Sequence, residues 1–197
     1  MNEEINLDKQ LKMSYRDYVD YLLEKYGIVP YNYFYNENCK SVNRKNSRTK
    51  DGLNIHHIWE CEIILLANPH VAKEFPYEFQ LSNALVYANL LEHLLLHIKI
   101  TEEFFEKHHN VGVGGIIMIT EQVNDYFGNL PKEPTGWRLN MFNAIRNQYA
   151  DYITILKYIN NINNEDIRRT LSKYNLAAGW DGRIYSKIKK DIKDSKI

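Results

Sequence analysis

Four of the seven histidines fall in two tight pairs, His56 with His57 and His93 with His97. Imidazole titrates near neutral pH and readily ligates divalent transition metals, so such pairs are the first place to look for chemistry. His93 and His97 are spaced i, i+4. On a helix that spacing puts both rings on one face about one turn apart, a geometry that chelates one divalent ion. Two core histidines satisfied by neighbouring hydrogen bonds would share the spacing; the second pair upstream is what raises the metal reading above that one. His56 and His57 lie in LNIHHIW, residues 53–59, which alternates around Ile55 and follows the turn dipeptide Asp51-Gly52. Adjacent residues of a strand point to opposite faces. One of the two therefore joins an ion, and the other does something else.

Elements must place these pairs. Residues 82–100 (SNALVYANLLEHLLLHIKI) are rich in helix formers and apolar almost all round, which predicts one buried helix carrying His93 and His97. Between strand and helix, Asn68-Pro69 and Phe75-Pro76 break residues 62–80 into loop and short pieces. Upstream, the apolar spacing of residues 14–26 predicts an amphipathic helix capped by Ser14 and closed by Gly27. Residues 31–50 lack periodicity and read as an irregular connector. Downstream, Gly112–Gly115 lack the lysine of a phosphate loop and read as a turn. Helical patterns follow over 116–127 and 138–159, and residues 165–192 predict one or two short helices around Ala178-Gly179. His108 and His109 fall at a helix end, and His70 in a loop. The expectation is a single α+β domain, mainly helical: an N-terminal helical region over 1–38, a central module over 39–101 and a C-terminal helical region over 102–197.

A strand ending in a His pair, a loop, and a helix with two His at i, i+4 resembles the HNH family of nucleases, whose ββα-metal fold grips one ion between a hairpin and a helix. The resemblance covers residues 48–100, about a quarter of the chain, and is clearest in DGLNIHHI and LVYANLLEHLLLHI. It implies that a small ββα-metal module is embedded between the two helical regions. It further implies that His56 is a metal ligand, that His57 is the general base, and that His93 and His97 complete the ligand set. The family's Asn, which opens the helix and orients the base, falls near position 84. That residue is Ala84, and Asn83, one position earlier, takes the assignment if it sits at the helix N-terminus. The implied activity is metal-dependent hydrolysis of DNA phosphodiester bonds, which needs a deprotonated water and a cation against the developing charge. Three imidazoles bind Zn²⁺ or Ni²⁺ well, whereas phosphoryl chemistry commonly runs with Mg²⁺ or Mn²⁺; one divalent ion is the expected cofactor. Ala84 also sustains an alternative, an HNH scaffold without turnover that acts as a DNA- or protein-binding regulator of a phage or mobile element.

Contact with DNA has its own candidates. Lys40, Arg44, Lys45, Arg48 and Lys50 give five positive charges and no acid between residues 39 and 50, just before the strand. Cations on an adaptable segment are what phosphate contacts need, so Arg44, Lys45, Arg48 and Lys50 are the expected nucleic-acid-binding residues. No global field assists them, because 25 Lys+Arg against 25 Asp+Glu give a net charge of zero. Composition excludes several classes. A chain of 197 residues with 44% hydrophobic and 25% charged residues is neither disordered nor collagen-like. The longest uninterrupted apolar run, residues 63–67, is too short to cross a bilayer, so no membrane partner is expected. Two cysteines without a C-x-x-C pair point to reduced thiols and a cytoplasmic protein. A homodimer or a protein partner is compatible with this composition.

Overall fold

The computed structural model describes residues 6–108, 111–128 and 134–194. His109 lies outside the described residues. Ser14 opens α2 (Tyr15–Tyr26) by accepting a hydrogen bond from the Asp17 N–H, and Gly27 closes it at a φ of 80°. The helix buries Tyr15, Tyr18, Val19 and Leu22. A short helix that periodicity does not announce, α1 (Leu7–Lys12), precedes it. The ammonium of buried Lys99 holds it in place, donating to the carbonyl oxygens of Gln10 at 2.8 Å, Leu11 at 3.3 Å and Met13 at 2.6 Å.

The two strands form an antiparallel pair, β1 (Asn54–His57) and β2 (Leu85–Ala88), with His56 opposite Val86 and His57 opposite Leu85. The helix expected over 82–100 is therefore a turn, a strand and a shorter helix, α4 (Leu90–Phe104). Asn89 is the cause. Its side-chain oxygen accepts from the N–H groups of Leu91 and Glu92, while the Glu92 carboxylate accepts from the Asn89 N–H. That reciprocal cap holds residue 89 in extended backbone and starts the helix after it. Upstream of the cap, Leu85 to Ala88 are all buried and pair with β1.

The loop joining the strands contains α3 (Pro69–Ala72), capped by Asn68 with proline in its first turn. α5 (Val113–Phe127) begins at Gly112, so Gly114 and Gly115 lie inside a helix and not in a turn. The single helix expected over 138–159 is two, α6 (Trp137–Ile145) and α7 (Tyr149–Asn160). Between them the Gln148 N–H takes the Ile145 carbonyl three residues back, a tight closure that ends α6. α8 (Glu165–Leu171) and α9 (Ser186–Asp194) complete a mainly helical α+β fold.

α4 is the central element, packing against α2, α5, α6 and α7. Its Leu90, Leu94, Leu95, Leu96, Ile98 and Ile100 are each at most 2% exposed. Burial contributes about 1.5–3 kcal/mol per such side chain, which makes α4 a stiff axis for His93 and His97. Among the described residues no helix is long and apolar enough to cross a membrane.

Candidate metal centre

The face of β1 that carries His56 meets α4, and the His56 ring lies 5.1 Å from the rings of both His93 and His97. The Nε2 atoms of His93 and His97 are 3.2 Å apart. β1 runs directly into a single turn, residues 58–61, which returns Glu60 towards the same point. Its Oε2 lies 3.5 Å from His56 Nδ1 and 3.7 Å from His97 Nε2. One donor atom from each of the four residues lies within 4.8 Å of the others. Two ligands of a tetrahedral ion with bonds of about 2.0–2.1 Å sit roughly 3.3 Å apart. Three of the donor separations, at 3.2, 3.5 and 3.7 Å, stand near that spacing, and His56, Glu60, His93 and His97 could hold one metal ion.

Hydrogen bonding selects the nitrogen that each ring offers. The Tyr15 hydroxyl donates to the Ile58 carbonyl at 2.8 Å. Its proton is thereby committed, and its oxygen accepts from His56 Nε2–H at 3.0 Å. His56 Nδ1 consequently carries the lone pair, faces Glu60, and is buried with no hydrogen-bond partner among the described residues. A sealed acceptor beside a carboxylate is costly in a protein unless a cation joins them, so the residues fit an ion. His97 presents Nε2 inward, and its far side lies against α5. A Cβ on Gly115 would come within 2.3 Å of His97 Nδ1, so only glycine permits that approach.

Burial lowers all three imidazole pKa values, His93 to about 4 and His56 and His97 well below the usual histidine range. Mutual repulsion within the cluster adds to the effect on His56 and His97. At neutral pH the rings are therefore uncharged, the form that ligates metals. Burial pushes the Glu60 carboxyl up to about 7. A cation at the cluster would reverse that cost by stabilising the carboxylate.

His57 faces the other side of β1. Its Nε2 lies 2.9 Å from Gln80 Oε1, and the Gln80 amide is fixed by donating its own N–H to the Leu66 carbonyl at 3.2 Å. His57 therefore carries its proton on Nε2 and its lone pair on Nδ1. Burial lowers its pKa to about 4, against the opposing effect of the hydrogen bond it donates to Gln80. Its ring sits 4.4 Å from that of Tyr33. The hydrogen bond to His57 expected of Asn83 is made by Gln80. Asn83 lies on an exposed turn before β2, because the helix it was expected to open begins seven residues later. Asn89, on the His93 side of α4, spends its side chain as the cap.

The basic segment divides. Arg48 is an architectural tie: it donates to Asp51 Oδ2 at 2.8 Å and to the Tyr26 carbonyl at 3.0 Å, with its guanidinium over the Tyr26 and Tyr87 rings. Arg44, Lys45 and Lys50 stay exposed, with the Lys45 ammonium 5.6 Å from the Tyr31 ring centre. His108 belongs to a separate cluster, 2.7 Å from Glu62, which Lys107 also pairs.

Three residues of the centre escape sequence reasoning: Tyr15, Glu60 and Gln80. Glu60 had a usable signal, an acid four residues after His56 in a segment already read as the site. Tyr15 and Gln80 reach their histidines across 41 and 23 residues of chain, and nothing local marks them. No family model, curated protein or solved structure matches the chain.

Proposed function

We propose that the chain is a metal-dependent nuclease that hydrolyses DNA phosphodiester bonds, with His57 as general base and one divalent ion held by His56, Glu60, His93 and His97. The observation that carries this reading is the division of labour on β1: His56 turns into a cluster of donors, while His57, beside it, is locked by Gln80 with a lone pair on Nδ1. A base needs a fixed tautomer and an unprotonated nitrogen at neutral pH, and His57 has both. Its Nδ1 takes a proton from water, the water oxygen forms the new bond to phosphorus, and the bond to the departing oxygen breaks. A divalent ion in the cluster supplies positive charge against the charge that develops on phosphate and leaving oxygen. Three imidazoles and a carboxylate suit Zn²⁺ or Ni²⁺ for binding, whereas phosphoryl chemistry commonly runs with Mg²⁺ or Mn²⁺. Arg44, Lys45 and Lys50 supply the phosphate contacts.

A second reading, a scaffold that grips DNA or a protein without turnover, is favoured by two observations. Four protein donors would fill a tetrahedral ion and leave no open position for a phosphate oxygen. His57 is 1% exposed, as covered as His56, so the attacking water has to be admitted beside a ring that the fold encloses. Cleavage of supercoiled plasmid by metal-stripped protein, with each ion added back, separates the two. We expect nicking or linearisation that requires metal and disappears in His57→Ala while metal binding persists, and loss of both in His93→Ala. A metal-loaded, folded protein that leaves plasmid intact with every ion would support the second reading.

A further inference from the structure

None of the three tryptophans serves the core: Trp59, Trp137 and Trp180 are 43%, 51% and 54% exposed. Trp137 and Trp180 line one cleft of about 360 Å³ with Tyr126, Arg138, Asp125 and Gln122. Exposing two indoles forfeits burial energy, yet the fold holds both on well-anchored backbone. Trp180 rides on a tight hairpin closed by the Ala178–Ile184 bridge and a left-handed Gly182. That hairpin is docked on α5: Asn124 Nδ2 donates to the carbonyls of Leu176 at 3.1 Å and Ala178 at 2.7 Å, and the Tyr185 hydroxyl donates to Asp125 at 2.7 Å. A Cβ on Gly179 would strike the Asp125 carboxylate, so the hairpin sits in close contact. Trp137 is the first residue of α6. Beside it, the Arg138 guanidinium lies 5.4 Å from the Trp137 ring centre and makes no ion pair among the described residues.

The geometry points to a binding site for an unpaired nucleotide of a nucleic-acid strand, its base against Trp137 and Trp180 and its phosphate met by Arg138. Flat aromatic walls accept any base through its π-face, and the exposed Arg138 guanidinium suits the phosphate beside it. The volume is that of a small-ligand pocket and admits one nucleotide rather than a duplex. The cleft is also joined to the rest of the candidate surface. α6 packs on the turn of residues 49–51, and Gly52 approaches so closely that a Cβ there would lie 2.6 Å from the Asn140 carbonyl oxygen. From Gly52 the chain runs through Leu53 into β1 and so to His56; α6, which carries Trp137 and Arg138, thus packs beside the segment that bears Lys50 and leads to the metal centre. This inference deepens the nuclease reading, on which it rests for the substrate class: the strand that is cut enters with a base out of its helix.

The test measures binding, not cleavage. The full chain is titrated against a fluorescein-labelled oligothymidylate in EDTA, with anisotropy as the readout. We expect Trp137→Ala and Trp180→Ala each to weaken binding about 5- to 100-fold. Trp137→Phe should retain most of the affinity, Arg138→Gln should lose part of it, and Tyr174→Ala, an exposed ring outside the cleft, should match the wild type. Wild-type affinity in both alanine variants, or binding to duplex alone, would overturn the inference. So would a dimer by sedimentation that Trp180→Ala dissociates, because the cleft would then be an interface between copies. Strand binding through the tryptophans without plasmid cleavage would leave this inference standing and remove the nuclease reading; cleavage with tryptophan-independent binding would do the reverse.

Discussion

Tyr15 bears on the candidate metal centre without offering a donor to an ion. By giving its proton to the Ile58 carbonyl it obliges His56 to donate from Nε2, and so leaves Nδ1 for the metal. Partners of this kind typically alter metal affinity about 10- to 100-fold. Tyr15→Phe should therefore fold, lose affinity in that range in a chelator competition with Zn²⁺, and change the visible spectrum of the Co²⁺ form. Equal affinity in the two proteins would contradict the tautomer assignment. Glu60 makes a second prediction. With its carboxyl raised to about 7 by burial and the three imidazoles already neutral there, metal binding below pH 7 must displace one proton, from Glu60. Apparent affinity should fall about tenfold per pH unit well below 7 and level off above it, with one proton released in calorimetry at pH 6. At this scale the sequence was legible where chemistry was concentrated in residue type and local spacing. His56, His57, His93 and His97 stand out, whereas Gln80 is one glutamine among several until the fold brings it to His57.

The elements were less legible where two patterns overlap. Residues 85–88 read as the first turn of an apolar helix because a buried strand and a buried helix are both continuous apolar runs. The Asn-x-x-Glu of residues 89–92 was the local signal that separates them. The glycines after residue 111 posed the opposite problem. Their composition suggested a turn, yet Gly115 serves a helix–helix contact, where α5 lies against the His97 ring. Gly115→Ala should force α5 and α4 apart, destabilise the protein by about 1–3 kcal/mol in urea unfolding and weaken metal binding. Gly114, one residue earlier, meets nothing within 4 Å. Gly114→Ala should be neutral or add about 0.5–1 kcal/mol, since alanine favours a helix interior. Similar losses in both variants would mean that helix propensity, and not the contact with His97, sets the effect.

Across the whole molecule, one core built on α4 joins elements from α2 to α9. That much follows from the apolar pattern of residues 90–100; the partners of α4 do not, because they are set by packing across the whole chain. The buried tyrosines of this core should set its alkaline limit. Burial holds the hydroxyls of Tyr15, Tyr18 and Tyr152 well above their ordinary pKa of 10, so the folded chain keeps protons that the unfolded chain gives up. Stability from these groups is complete below pH 10 and falls above it, by about 1.4 kcal/mol per pH unit for each. Lys99, lowered to about 8 by burial, works the other way between about 8 and 10.4 and is a single group. Urea unfolding at pH 9, 10 and 11 should show the midpoint dropping steeply across the last step.

The contact of Gly115 with His97 also bears on how the centre is filled. In the folded chain the α5 backbone leaves the His97 ring no room to swing, so an ion entering or leaving the cluster has to pass with that ring fixed or with α5 displaced. Transfer of an ion from the loaded protein to a chelator should therefore be slow, and faster in mild urea that loosens α5 from α4.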